Sequence, residues 1–383
     1  MPIGELTVLA WFIVVASLLL LQHPFISYPI SLWLISKFRR QTLDVGRPKP
    51  LTIDVVFCAY NEDKVIQRKL DNCVELTSKF PGLSAHCFSD GSSDRTPQIM
   101  AEYQDRIDVV VSHGRSGKSV GMNTLLARCK SDIVIFTDAN SYIDPASITA
   151  LEAYFADPKI GCVCGHLVHL NPNETATATA STKYWDFEQV VKGLEGLQGF
   201  AMGADGALFA IRRKLFSPVP SDIIDDMFTS MSIMCAGYRL VQAHDFIATE
   251  RSVTSNSEEF RRKVRIACRA FNCHRLLWPR IRTLPLMAQY MYVSHKLLRW
   301  FSGLWIVVFA TALFFALAQI SYVLAAIYAL LGVAFCLLGK ANMLGKANVL
   351  WTAALSFLAT SLGVWKSIRG ERFATWAVAS SAR

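Results

Sequence analysis

The sequence predicts an α/β protein in which a doubly wound, mostly parallel sheet is inserted between transmembrane α-helices. From Leu51 onward, short apolar runs alternate with helical stretches, the pattern of strands joined by crossover helices. Both ends of the chain are instead continuously apolar over lengths that reach across a bilayer. Between them, Ile133-Val-Ile-Phe-Thr-Asp-Ala-Asn140 reads as a buried parallel strand that delivers Asp138 and Asn140 at its carboxyl end. That is where open α/β sheets place their ligands.

The chain has 383 residues, 52% of them hydrophobic, which is high for a protein bathed only in water. Its formal charge of +9 comes largely from Lys37-Phe-Arg-Arg40 and the segment Arg261 to Arg282. Both lie next to apolar stretches, so they suit phospholipid headgroups better than nucleic acid. The ten cysteines show no disulfide-like or CxxC-type spacing and read as reduced and cytosolic.

Residues 1–40 form the N-terminal membrane segment. Leu6 to Gln22 is uncharged and rises about 25 Å as a helix, enough to span a hydrocarbon core. Pro24 and Pro29 should kink or stop it, and Lys37, Arg39 and Arg40 place the next domain on the cytoplasmic side.

Residues 50–275 form the soluble domain. Strands are expected at Ile53 to Ala59, Ser84 to Ser89, Val109 to Ser112 and Ile133 to Thr137, with helices at Glu62 to Ser78, Thr96 to Tyr103 and Ser119 to Cys129. Ile160 to Leu170 alternates as a strand, which separates His169 from Cys162, Cys164 and His166 and argues against a zinc cluster. Tyr184 to Leu197 reads as a helix with Glu188 and Glu195 on one face, and Met227 to Ala236 as a helix closed by Gly237.

Several of these junctions carry chemistry. Asp138 and Asn140 offer hard oxygen ligands to Mg²⁺ or Mn²⁺, although Asp and Asn also end strands simply as turn formers. Asp90-Gly-Ser-Ser-Asp94 follows a strand, and Asp90 there could accept from a nucleotide base; an ordinary turn with Asp94 as helix cap is the alternative. Gly117-Lys118-Ser119 opens a helix, but Ser112 stands where a P-loop needs glycine, so Lys118 is read only as a diphosphate contact. Ala201 to Arg213 is a small-residue loop running into a strand, and it would let a substrate approach the backbone. Asp222, Asp225 and Asp226 precede a helix, where acids also serve as dipole partners. Arg262, Arg265 and Arg269 share one helix face and could hold a pyrophosphate or lie on anionic lipid.

Residues 276–300 are expected to be an interfacial amphipathic region, and 301–383 a membrane region of two or three spans. Phe301 to Gly339 would be about 58 Å long as one helix, nearly twice a membrane's core, so it must fold as a hairpin. Ala347 to Trp365 is a further candidate. A third span would put Lys366, Arg369 and Arg372 outside, against the positive-inside rule, unless one segment lies in the interface.

Taken together, Ala59-Tyr-Asn-Glu62, Ser89-Asp-Gly-Ser-Ser-Asp-Arg-Thr96, Gly117-Lys118 with Asn123, Thr137-Asp-Ala-Asn140, the Gly203 to Arg213 loop, Asp225-Asp226 and Arg262-Lys-Val-Arg265 resemble the family 2 glycosyltransferases. The similarity covers roughly residues 50 to 275 and is closest to the membrane-integrated branch of cellulose, hyaluronan and poly-N-acetylglucosamine synthases. It implies a GT-A fold and inverting transfer of a sugar from a nucleotide-diphosphate donor, expected to be a UDP-sugar, to a lipid-linked or growing polysaccharide acceptor. It assigns Tyr60, Glu62, Asp90, Lys118, Asp138, Arg262 and Arg265 to the donor, with Asp138 and Asn140 at the metal. Gly203, Asp205 and Gly206 fall to the acceptor. Asp226, eleven residues before Gly237, becomes the general base. Asn140 stands where the family has a second Asp, and the Gln and Trp of the processive QxxRW pattern are absent around Arg265. Those departures leave open a nucleotide-sugar-sensing membrane protein with a degenerate site. A coupled transporter is disfavoured because the apolar spans lack acidic residues. The expected location is the inner or plasma membrane, with the catalytic domain cytoplasmic.

Overall fold

The computed structural model describes residues 3–38 and 50–375. Helix α1 (Ile3–Gln22) stops where the sequence reaches His23-Pro24, and α2 (Ser27–Phe38) restarts after one turn. Pro29 falls in the first turn of α2, where its missing N–H breaks no helical bond. Arg39 and Arg40 of the basic run lie outside the described residues.

The soluble part follows the alternation read from the sequence. In chain order it comprises β1 (Ile53–Ala59), α3 (Ile66–Lys79), β2 (Leu83–Asp90), α4 (Thr96–Ala101), β3 (Asp108–Ser112), α5 (Lys118–Leu126), β4 (Ile133–Thr137), β5 (Tyr142–Ile143) and α6 (Ala150–Ala156). There follow β6 (Ile160–His169), α7 (Ala176–Gly196), β7 (Leu208–Arg212), α8 (Asp225–Cys235), β8 (Arg239–Glu250) and α9 (Asn256–Ile281). The eight strands form one sheet in the order β3-β2-β1-β4-β7-β6-β8-β5. Strands β1 to β4 are parallel to one another where they pair, β7 enters antiparallel beside β4, and β6 pairs parallel with β8.

Both faces of the sheet are covered, as the continuous apolar strands require. Val55 and Phe57 of β1 pack on one side with Ile66, Leu70 and Cys73 of α3. Val56 and Cys58 point the other way, into a core shared with Met122 and Leu125 of α5 and with Tyr28 and Leu32 of α2. Full burial of each such Leu or Phe contributes roughly 1.5–3 kcal/mol, so α2 is held to the soluble core rather than merely preceding it. Polar contacts reinforce this. The Tyr28 hydroxyl donates to Glu195 Oε1 at 2.5 Å, the same oxygen is 2.6 Å from His295 Nδ1, and His23 Nε2 is 2.9 Å from Ser294 Oγ.

After α9 the chain forms α10 (Leu286–Tyr292), a π-helical turn (Val293–Leu297) and α11 (Leu298–Trp300), then α12 (Ser302–Ile320), α13 (Tyr322–Lys340) and α14 (Asn348–Ile368). Four helices among the described residues are long and apolar enough to cross a membrane: α1, α12, α13 and the segment containing α14. Helix α14 differs from the others in its neighbours. Trp351 meets Gly339 at the end of α13, and the backbone of Phe357 and Leu358 meets Gly303 at the start of α12. Both contacts lie at the same end of the α12–α13 hairpin, so α14 passes across its base. Its other side runs along α9, from Thr352 hydrogen-bonded to Asn256 (3.1 Å), through Gly363 against Val264, to Ser367 bonded to Asn272 (2.5 Å). Beyond α14, Arg372 pairs with Asp222 at 3.1 Å, and the Ala374 carbonyl packs on Gly117.

Candidate active site

The reversed direction of β7 builds the site. Leu208 pairs with Thr137, so the small-residue loop that ends at Ala207 arrives beside the carboxyl end of β4, next to Asp138. A cavity of about 300 Å³ opens there, lined among others by Glu62, Lys118, Asp138, Asn140, Asp205, Gly206, Asp225, Asp226, Arg262 and Arg265. Residues from six separate stretches of sequence thus converge.

Gly206 shows how closely they converge. A Cβ built on it would lie 3.2 Å from Asp226 Oδ2, 3.2 Å from Lys118 Nζ and 3.9 Å from Asp138 Oδ2. Lys118, placed on the first turn of α5 by the left-handed Gly117, puts Nζ 2.7 Å from Asp138 Oδ1 and 3.3 Å from Asp225 Oδ2. On the opposite wall Arg262 is engaged by Glu259 at 2.8 Å, while Arg265 has no hydrogen-bond or ion-pair partner among the described residues. Burial, with Arg269 and Arg262 beside it, lowers Arg265 to about 10. A third cation in that row, Arg269, is spent on structure, donating to Ser119 Oγ (3.1 Å) and the Ile223 carbonyl (2.5 Å).

The two neighbouring acids of α8 are driven apart. Burial pushes Asp226 up, the Asp225 charge adds to this and Lys118 only partly opposes it, leaving Asp226 at about 7. Burial also pushes on Asp225, but Lys118 and Arg269 outweigh it and hold that carboxyl below its ordinary value. Two acids with separated affinities for a proton are the usual arrangement for dividing base and electrostatic roles.

Three residues expected at the site, Tyr60, Asp90 and Gly203, do not line this cavity. Asp90 is fully buried, and its carboxylate accepts from the Ser116 N–H (2.7 Å), the Ser116 hydroxyl (2.9 Å) and the Gly117 N–H (3.1 Å). It therefore shapes the loop before Lys118, and Tyr60 caps that loop with the Arg115 guanidinium 3.5 Å from its ring centre. Gly203 is buried behind the cavity, near Ser230 and Lys296, whereas Asp205 and Gly206 line it; Asp205 is held by Lys192 at 2.7 Å. Other lining residues were not expected at this site: Ser181 and Trp185 on α7, His169 at the end of β6, which the sequence singled out only as part of a rejected zinc cluster, and Glu250 at the end of β8. Glu250 accepts from Ser141 Oγ at 2.8 Å and so braces the turn that carries Asp138 and Asn140.

The space above Gly206 yields a direct prediction. Gly206→Val should lower turnover by about 10²-fold, since a displacement of about 1 Å at a reacting centre costs that much. Its melting temperature should fall little, because the groups the new side chain crowds are the ends of Lys118 and Asp226 at the cavity rather than a packed core. Turnover and thermal unfolding of the purified variant check this.

Residues 54–219 match the family described as Glycosyl transferase family 2. Among curated proteins the chain is similar to an N-acetylglucosaminyltransferase of Sinorhizobium fredii (strain NBRC 101917 / NGR234), 24% identical over 266 residues, which are 64% of this chain and 63% of that protein. It is also similar to a poly-beta-1,6-N-acetyl-D-glucosamine synthase of Staphylococcus epidermidis, 25% identical over 165 residues, 42% of this chain and 39% of that one. The matches thus cover less than two thirds of either relative. Among solved structures, a mannosyltransferase from Pyrobaculum calidifontis in complex with GDP-Man and Mn²⁺ has a TM-score of 0.72, covering 96% of this chain and 99% of that one at 22% identity, a likeness of fold.

Proposed function

We propose that this chain, which carries a family 2 glycosyltransferase domain on a GT-A-like fold, is an inverting membrane-bound transferase. It would move a sugar from a nucleotide diphosphate, expected to be a UDP-sugar, to a lipid-linked or growing glycan acceptor. The observation that carries this reading is the one cavity in which Asp226, poised at about 7, faces Gly206, Lys118 and Asp138, and which is also lined by Arg265, unpartnered among the described residues. The matched family range ends before Asp226, so its role rests on this geometry.

In the proposed reaction the acceptor hydroxyl gives its proton to Asp226 as its oxygen bonds to the anomeric carbon. The bond from that carbon to the nucleotide diphosphate breaks on the opposite face, and the leaving oxygen keeps the electron pair. Arg265 and Lys118 meet the charge that develops on the diphosphate, and Arg262 adds to the field. Asp138 and Asn140 suit a divalent ion: they are hard oxygen donors, and Asp138 with Asp225 already gathers one cation, the Lys118 ammonium. When bound, Mg²⁺ or Mn²⁺ would neutralise diphosphate charge. Tyr60, Glu62 and Asp90 are proposed to form the nucleotide end, with Asp90 fixing the loop. Asp205 and Gly206 would border the acceptor, with Gly203 supporting their loop from behind. An intact acid, base and cation set supports an enzyme over the sensor reading.

Hydrolysis of UDP-, GDP- and dTDP-sugars by the purified protein in detergent tests this. Turnover of UDP-sugars is expected; turnover confined to GDP- or dTDP-sugars would overturn the UDP assignment, and none with any donor would overturn the enzyme.

Topology is part of the proposal. Helices α1, α12 and α13 cross the membrane, and α14 lies in the cytoplasmic interface across the base of the α12–α13 hairpin. This arrangement keeps Lys366, Arg369 and Arg372 on the side of the catalytic domain, in accord with the positive-inside rule. The contacts of Arg372 with Asp222 and of Ala374 with Gly117 support it. Protease should cut residues 51 to 275, and a tag at the C-terminus, in inside-out vesicles but not in intact cells. Cleavage of the tag from outside would mean that α14 spans.

A further inference from the structure

A second cavity, of about 100 Å³, lies between α7, α9 and α14 and reaches Arg299. Arg299 is only 7% exposed. One of its terminal nitrogens is engaged by Glu188 and lies 3.4 Å from the Tyr184 hydroxyl. Its Nε and its other terminal nitrogen have no partner among the described residues although both are buried. The guanidinium is otherwise enclosed by rings, 5.3 Å from the centre of Phe25 and 5.4 Å from that of Phe187. Buried N–H groups left in such surroundings call for an acceptor, and a guanidinium offering Nε and a terminal nitrogen together fits two oxygens of one phosphate.

Three further features fit the same ligand. Lys263, on the α9 wall, supplies a second cation: Glu259 lies 3.2 Å from it but also carries Arg262, so one carboxylate is shared between two positive side chains. Thr352, Ser356 and Thr360 place hydroxyl side chains four residues apart along the α14 wall, which makes that face of an otherwise apolar helix amphipathic. Ser181 lines both this cavity and the catalytic one, so the two adjoin across a single side chain.

We propose that this cavity is the acceptor subsite, and that it seats the phosphate of a phosphate-linked saccharide lipid between Arg299 and Lys263. The lipid chain leaves along α14 into the bilayer, and the saccharide passes Ser181 to present its hydroxyl to Asp226. This rests on the glycosyltransferase reading and names its acceptor class. The second cavity's position beside the interfacial helix gives the lipid an entry that does not cross the soluble domain.

The test uses the full chain in nanodiscs of phosphatidylcholine, titrated with polyprenyl phosphate, with the neutral polyprenol and with inorganic phosphate. Polyprenyl phosphate is expected to bind at least about tenfold more tightly than polyprenol. Arg299→Lys keeps a charge against Glu188 but loses the planar fork, and should reduce that preference by about tenfold. Ser356→Leu fills the cavity from the opposite wall, away from the buried ion pair, and should weaken polyprenyl phosphate to a similar degree. Thermal unfolding of both variants confirms that they are folded. Equal binding of the phosphate and the alcohol, or unchanged binding in both variants, overturns the proposal. Inorganic phosphate binding as tightly as the lipid phosphate overturns the lipid assignment. Hydrolysis of nucleotide sugar without lipid reports separately on the enzyme: if it persists while the lipids are not distinguished, the subsite fails and the transferase stands. If no donor is turned over, the underlying reading fails whatever the lipids do.

Discussion

Asp226→Asn is expected to lower turnover by about 10²- to 10⁴-fold, the usual contribution of a positioned general base, equivalent to about 3–5 kcal/mol of barrier. Donor affinity should change little, because the carboxylate addresses the acceptor. The wild-type rate should rise with pH through about 7, as Asp226 loses its proton, and this limb should disappear in the variant. Stability carries the opposite sign. A carboxyl whose folded value lies above 3.8 binds its proton more tightly when folded, so it costs the protein stability as pH climbs from that value towards about 7. Asp226→Asn should therefore melt higher than wild type in neutral and alkaline buffer. Asp225→Asn should melt lower, since it removes a charge that Lys118 and Arg269 hold in the ionised form. Rates, donor titrations and melting curves of the two variants check the assignment; persistence of the pH limb in Asp226→Asn, or the greater rate loss in Asp225→Asn, would move the base to Asp225.

Asp138→Ala should abolish measurable transfer and weaken donor binding together. Losing the carboxylate removes the proposed metal ligand and also leaves Lys118 with Asp225 alone, drawing it away from the diphosphate. Mn²⁺ binding, followed by electron paramagnetic resonance of the free ion, is expected to weaken markedly in this variant, and chelation of wild type should stop transfer. Asn140→Asp should tighten Mn²⁺ by adding a negative ligand. Undiminished Mn²⁺ binding in Asp138→Ala would place the ion elsewhere.

In the half of the fold around β1 to β4, the central strands β1 and β4 were the most legible because strands buried on both faces read as largely β-branched and apolar runs, and the carboxyl end of β4 locates Asp138 directly. Arg262 and Arg265 were legible from helical spacing, and the structure brings both to the cavity. Helix α7 begins at Ala176, eight residues before the helix expected at Tyr184. Its Ala-Thr alternation has weak helix propensity, and contacts such as Thr177 to Asn256 (2.8 Å) supply the stability that the local sequence lacks. Strand β8 mixes Arg, Gln, His and Asp with apolar residues and is fixed by pairing with β6, so Glu250 had no local mark. Asp90 could be placed at the sheet's edge but not given a partner, because only the fold shows that Ser116 and Gly117 turn their N–H groups onto it. Length and composition made α14 equivalent to a span; its contacts with α9 and with the base of the α12–α13 hairpin support the proposed interfacial placement.

The attachment of α2 to the core has a consequence for synthesis on the ribosome. Tyr28 is separated from Glu195 by 167 residues, and His23 from Ser294 by 271. At about 5–20 residues per second, α2 waits roughly 15–55 s before Ser294, the partner of the adjoining His23, is translated. Until then the buried carboxylates of Glu188 and Glu195 lack His295 and Arg299, and the soluble domain emerges with that side of its core unfinished. Nascent chains arrested before Ser294 should accordingly be digested at α7 by added protease, and chains arrested far enough past Trp300 for it to clear the ribosome should resist. Maturation of the domain is in this way tied to completion of the segment Val293–Trp300, so a truncated message yields an unprotected fragment rather than a finished domain.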